Sequence, residues 1–270
     1  MDEAKKRNTE RDIVRSVVKA FRVLESFSDV RDERTVAEIS RASGLDRAVS
    51  YRMALTLEHL GYLERGRDGK SYRLALKCLE LGMNALAGLD VRAIAAPKLR
   101  GLVPAYGDAA SLGVLEGADV VYIDRVEHGL NRSGLMRRIG SRIPVYGAAI
   151  GFALLAFLPR DRQVAALNAR ERVRLSERTI TNLDELLQVL NETAERGFAI
   201  SDQQNAFGLR TIAAPILGRD GRALAAVSLT IAVERMDMEA FIALSRDRLV
   251  STAREISKAV CALSEINEPR

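Results

Sequence analysis

Between Val36 and Leu63 the chain reads as a short helix, a tight turn at Gly44 and a second amphipathic helix, which fixes most of what its N-terminal part can become. Gly44 can take a positive φ at little steric cost, and Asp46 can cap the second helix by accepting from its unpaired amides. Val36, Ile39, Leu45, Val49, Met53, Leu57 and Leu60 recur at helical spacing, so both helices are predicted to share one buried seam. That phase leaves Arg47, Ser50, Tyr51 and Arg52 on the opposite face, near the start of the second helix. In a DNA-binding helix-turn-helix those positions face base edges in the major groove. Helix pairs joined at a glycine also occur in domains that never touch DNA, so the flanking segments must decide.

Leu63 to Leu74 reads as a β-hairpin whose turn contains Asp68-Gly69, the strongest short hairpin signal. A basic hairpin directly after such a helix makes a winged helix-turn-helix. Arg65, Arg67, Lys70 and Arg73 are placed to reach phosphates or the minor groove. Upstream, Ser16 is predicted to cap a helix over 17–27 whose Val17, Phe21, Leu24 and Phe27 complete the core. Arg47 reads either a base or a phosphate, and Arg52 either contacts DNA or braces the helix.

With 270 residues, 47% of them hydrophobic, the chain has material for two domains. A net charge of +5 agrees with a nucleic-acid partner without requiring one. Cys78 and Cys261 are the only cysteines and lie far apart in apolar helical settings, which argues against a disulfide framework and predicts a reducing cytoplasm. Residues 1–12 are highly charged and read as a disordered tail, and no run approaches the roughly 18 apolar residues of a membrane span. A soluble chain is therefore expected. Two histidines, His59 and His128, lack partners at metal-ligand spacing, and no nucleophile elbow or phosphate-binding glycine loop is present. Neither an enzyme nor a bound metal or cofactor is expected.

The predicted organisation is a tail at 1–12, a winged helix-turn-helix at 13–75, linker helices at 76–105 and a second domain at 106–270. The linker carries Leu76, Leu79, Leu81 and Met83, then a helix from Asp90 that contains Pro97. It is too apolar for a solvated connector and packs either on a second copy or on its own C-terminal domain. From 106 onward, strands at 109–115, 120–126, 198–201, 211–217 and 223–231 alternate with helices at 148–158, 161–169, 183–196 and 238–266. Hairpin-joined strands with flanking helices predict an α+β domain with an antiparallel sheet.

With these parts in place, the chain resembles the IclR family of bacterial transcriptional regulators. The likeness runs from about Val14 to Ile266. It rests on the block from Leu45 to Arg52 with Leu60-Gly61-Tyr62-Leu63, on Ile139 to Pro144 followed by Ala149 to Ala156, and on Arg196-Gly197-Phe198-Ala199 with Gly208 to Ile216. The resemblance implies dimers that often assemble to tetramers, and a GAF-like C-terminal domain that binds a small metabolite. Carried over by motif, the effector pocket uses the amides of Ala149 and Ile150 at a helix start with the hydroxyls of Ser201, Thr211, Ser228 and Thr230. Such donors suit a carboxylate. Leu135, Met136, Tyr146 and Phe152 either enclose the ligand or fill the core. The chain departs from the family where Phe152 replaces a common Lys, Gln203-Gln204 replaces a stretch with a further acid, and Thr211 replaces a frequent Cys. With no charged side chain expected in the pocket, the helix start would be its only source of positive potential.

The expected function is a ligand-responsive regulator of double-stranded operator DNA, a repressor of a catabolic operon released by a small carboxylate-type metabolite: a keto acid, a semialdehyde acid or an aromatic acid. The alternative is a constitutive architectural DNA-binding protein whose C-terminal domain only assembles it. Repression or activation depends on where the operator lies relative to a promoter.

Overall fold

Thr35 starts the helix-turn-helix with a reciprocal cap: the Thr35 amide donates to Glu38 Oε2 at 2.9 Å, while the Glu38 amide donates to Thr35 Oγ1 at 3.4 Å. The helix it opens, α2 (Val36–Ser43), stops at Gly44, whose φ of 67° is the left-handed stop that glycine allows. Asp46 then accepts the Val49 amide at 2.9 Å and starts α3 (Arg47–His59). The computed structural model describes residues 13–27, 33–87, 89–130 and 137–267, so the predicted tail at 1–12 lies outside the described residues. The chain divides into two compact units, Met1–Gly88 and Leu89–Arg270.

In the first unit, α1 (Arg15–Glu25) precedes β1 (Arg34–Thr35), α2 and α3; β2 (Leu63–Arg65) and β3 (Ser71–Leu74) form the wing, and α4 (Lys77–Ala87) follows. The strands pair antiparallel in the order β1-β3-β2. Val23, Phe27, Ile39, Leu57 and Tyr72 form the centre of the core, with Leu24 and Met53 at its margin. Two predicted phases are corrected here. Val17 and Phe21 are exposed and Val23 is buried, because α1 has two apolar faces and the other one, through Ala20, Val23, Leu24 and Phe27, packs inward. The helix begins at Arg15 with no side-chain cap, so Ser16 does not cap it. On α3 the inward stripe is Ser50, Ala54 and Leu57, a spacing of four and three, and Leu60 is exposed. Val49 and Met53 are half-buried on its flanks.

The second unit opens with α5 (Asp90–Arg100) and builds one six-stranded antiparallel sheet in the order β6-β5-β4-β9-β8-β7, so the predicted α+β class with an antiparallel sheet holds. Its strands are β4 (Ala109–Glu116), β5 (Asp119–Glu127), β6 (Arg142–Pro144), β7 (Ala199–Asp202), β8 (Leu209–Leu217) and β9 (Ala223–Ala232). One face carries α6 (Ala149–Leu155), backed by α7 (Arg160–Asn168) and α8 (Leu183–Arg196); the other carries α5 and the long α9 (Met238–Asn267). The core is continuous along α6, every residue of which is buried. Pro97 sits inside α5. No described helix is long and apolar enough to cross a membrane.

Candidate DNA-binding surface and effector site

On α3 the side chains of Arg47, Tyr51 and Arg52 are exposed on the face away from the core, Tyr51 at 47%. Ser50 is not among them. It is fully buried beneath the helix, its hydroxyl has no hydrogen-bond partner, and from there it cannot reach a base edge. The wing residues divide as well. Arg67 and Lys70 stand exposed at the tip, where their backbone amides are held by Glu33 and Asp68 while their side chains extend into solvent. Arg73 pairs across the strands with Glu64 at 2.8 Å. Arg65 is engaged more heavily: Nε donates to Glu58 Oε1 at 2.9 Å, and the guanidinium lies 4.3 Å from the centroid of the Tyr72 ring.

In the second unit the strand register collects one cluster of polar side chains on the α6 face of the sheet. Ser201 is opposite Thr211, Thr211 opposite Thr230, and Ser228 opposite Ser111. Thr211 Oγ1 and Thr230 Oγ1 lie 3.0 Å apart, and Ser201 Oγ donates to Gly147 O at 3.1 Å. These three hydroxyl residues line a cavity together with Tyr122, Arg125, Arg137, Asn205 and Ala206. Ser228 does not line it. It sits one rung, two residues, further along β9, buried at 2% exposure.

The two arginines overturn the expectation of a pocket without charged side chains. Arg125 donates through Nη1 to Ser111 Oγ at 2.7 Å and pairs with Glu127 at 3.1 Å, its side chain 8% exposed. Arg137 is half-buried, with Tyr122 and Arg125 acting on its charge. Burial lowers the Arg137 pKa and Arg125 pushes it the same way, while burial raises that of the Tyr122 phenol. Strict alternation along β5 would put residues 122 and 125 on opposite faces. A bulge puts them together: Leu112 pairs with Asp124 but Gly113 with Tyr122, leaving Ile123 as the extra residue. Nothing in the local sequence announces that bulge, which is why Arg125 was missed.

The side chains at the other motif-derived positions lie in the core. Ala149, Ile150 and Phe152 are fully buried on α6, packed in the core cluster and absent from the cavity lining. Tyr146 is equally buried, and its hydroxyl is spent on Val173, donating to the carbonyl at 3.2 Å and accepting the amide at 3.1 Å. Leu135 and Met136 lie outside the described residues. The remaining wall is the 203–208 turn. There Gln203 holds a left-handed φ of 62°, its amide donates to Leu209 O at 2.9 Å, and its side-chain carbonyl accepts the Gly208 amide at 3.2 Å. This closure carries Asn205 and Ala206 to the cavity.

Comparison with known proteins bears on both surfaces. Residues 16–67 match the IclR helix-turn-helix domain, and residues 83–258 match the bacterial transcriptional regulator IclR C-terminal family. The chain belongs to the IclR family. It is 30% identical over 248 residues to the HTH-type transcriptional regulator XynR of Escherichia coli, covering 92% of this chain and 98% of that one. It is 34% identical over 228 residues to the regulator KdgR of the same organism, covering 84% and 86%. Among solved structures, Thermotoga maritima IclR superposes with a TM-score of 0.74 at 28% identity, covering 92% of this chain and 99% of that one. An IclR homologue from Microbacterium hydrocarbonoxydans, complexed with 4-hydroxybenzoate, superposes with a TM-score of 0.76 at 26% identity, covering 90% and 99%. The protein is thus an IclR-type transcriptional regulator with a DNA-binding helix-turn-helix.

Proposed function

We propose that this IclR-type chain is a cytoplasmic, effector-responsive regulator, a repressor released from operator DNA when a small monocarboxylate enters the cavity on the α6 face. The observation that carries this reading is the pair of guanidiniums, Arg125 and Arg137, in a cavity wall that holds no carboxylate among its described lining residues. A half-buried cation favours an anion in the space it faces, and a guanidinium can grip a carboxylate through two parallel hydrogen bonds. Thr211, Thr230, Ser201 and Asn205 add uncharged hydrogen-bonding groups that suit a second polar end. The homologue complexed with 4-hydroxybenzoate supports an aromatic hydroxy acid as one member of the class. The open volume is only about 30 Å³, so an acid of that size enters by displacing lining side chains. This coupling of binding to rearrangement is what a ligand needs in order to shift a conformational equilibrium. On the DNA side, Arg47, Tyr51 and Arg52 of α3 with Arg67 and Lys70 of the wing form the proposed contact surface.

The test is a thermal-shift screen of the full chain against benzoates, keto acids and semialdehyde acids, followed by gel shifts on an operator selected from random DNA. A ligand at about 100 times its Kd adds roughly 2.7 kcal/mol of stability. Arg137→Met is expected to abolish the shift given by the best acid while leaving ligand-free operator affinity unchanged. If no acid alters operator affinity, the effector reading fails and a constitutive architectural protein remains. An acid that strengthens operator binding would overturn the repressor part alone.

A further inference from the structure

Among the basic residues of the wing, Arg65 is exposed yet tied by its guanidinium to three parts of the unit. Arg65 lies on β2, directly opposite Tyr72 in the β2–β3 register. Tyr72 is fully buried in the core of the first unit, and the Arg65 guanidinium covers its ring at 4.3 Å. From the last turn of α3, Glu58 accepts Arg65 Nε at 2.9 Å. Arg65 Nη1 also reaches the carbonyl of Gly69 at the wing tip, at 3.5 Å. A single planar cation thereby spans the end of the recognition helix, the core and the turn of the wing. Arg67 and Lys70, at that same tip, are exposed and make no such bridge.

We propose that Glu58 and Arg65 are a positioning pair that sets the angle between the recognition helix and the wing, so that Arg65 acts on operator affinity through the placement of Arg67 and Lys70 and makes no phosphate contact of its own. The inference rests on reading this unit as DNA-binding, and goes beyond it by dividing the wing's cations into a brace and a contact set. A phosphate that took the Nε edge of Arg65 would have to displace Glu58 from it. The stacked, forked geometry is specific to arginine: a lysine at 65 would keep the charge and lose the bridge.

The experiment uses the full chain and an operator selected by that chain from random DNA. Glu58→Gln, Arg65→Met and Arg65→Lys are compared with Arg67→Met by titration across salt concentrations and by hydrogen exchange of the wing amides, residues 63–74, without DNA. The brace predicts that all three pair variants speed wing exchange and weaken operator binding by about two- to fivefold. It predicts an unchanged salt slope for each, and a double variant, Glu58→Gln with Arg65→Met, no weaker than either single one. Arg67→Met should instead flatten the slope by about 0.9, the signature of one lost phosphate contact, with wing exchange unchanged. The proposal is overturned if Glu58→Gln tightens operator binding, if Arg65→Met flattens the slope as Arg67→Met does, if Arg65→Lys behaves as wild type, or if wing exchange is the same in all variants. Should the wild-type chain select no sequence, the DNA-binding reading fails, and the exchange data alone still decide whether the brace exists.

Discussion

Ser50 shows what periodicity can and cannot say about a single residue. On a helix wheel it sits beside Arg47 and Tyr51, yet small size lets it serve the inward stripe, where its hydroxyl is buried with no partner. An unsatisfied buried hydroxyl costs free energy that an apolar group of the same shape does not. Ser50→Ala is therefore expected to leave the unfolding free energy unchanged or raise it by up to about 1 kcal/mol, and to leave operator affinity as it is. A fall in operator affinity with unchanged stability would return Ser50 to the DNA interface. At the wing tip, Asp68 behaves as its sequence context suggests. The Ser71 hydroxyl and the amides of Ser71 and Lys70 donate to its carboxylate and lower its pKa from 3.8 to about 2. A depressed carboxylate contributes its stabilisation fully above its ordinary pKa, and that contribution is lost as pH falls through the folded value. The order of the turn should thus persist through pH 4 and fail near pH 2; an NMR titration of the Asp68 carboxyl with a midpoint near 4 would show these hydrogen bonds to be absent in solution.

The elements were legible where a pattern has one solution. The hairpin around Asp68-Gly69, the helix capped by Asp46 and the alternation of strands and helices after 106 all follow from local chemistry. Legibility ended where a pattern had two solutions or depended on a distant partner. Helix α1 offers apolar residues on both sides, and only the docking of α2 and α3 selects Val23 over Phe21. The Tyr122–Arg125 pair depends on a bulge that exists only in register with β4. The motif around Ala149 to Ala156 is the helix its sequence predicts, and its side chains form the packed centre of the domain. Gly151 states this role most sharply. A Cβ there would lie 2.3 Å from the Val145 carbonyl oxygen and 2.7 Å from its Cα, both backbone atoms that cannot step aside. An alanine in a helix is ordinarily better than glycine by about 1 kcal/mol. Here the clash reverses the sign, and Gly151→Ala is expected to destabilise the second unit by about 1–3 kcal/mol. A thermal midpoint equal to or above wild type would mean that α6 packs less closely than its contact with Val145 implies.

At the scale of the whole molecule, the first unit leaves more apolar surface open than a monomer needs. Val14, Val17 and Phe21 are about half exposed along one side of α1, and on α4 no residue is buried, with Leu79 61% and Met83 46% exposed. Beyond the contacts of Lys77 and Cys78 with Leu60 and Tyr62, such a helix buries little of its own chain to offset the entropy of ordering it. Open apolar helix faces of this kind mark a surface that another protein covers. A second copy is the simplest occupant, because two-fold pairing presents the same patch on both chains and needs no other gene product. Such a pair would also place two recognition helices about a two-fold axis, the arrangement that reads a palindromic operator with half-sites one helical turn or a multiple of it apart. Sedimentation of the full chain at micromolar concentration should therefore give a dimer or a larger even assembly. Leu79→Glu combined with Phe21→Glu should shift it toward monomer while each unit keeps its fold by circular dichroism, because neither side chain contributes to a core. The same variant should lose at least tenfold in affinity for the full palindrome and little for a half-site, since the second half-site no longer binds as part of one particle. A wild-type monomer at that concentration, or a double variant that still sediments as a dimer, would show that these faces are covered in some other way.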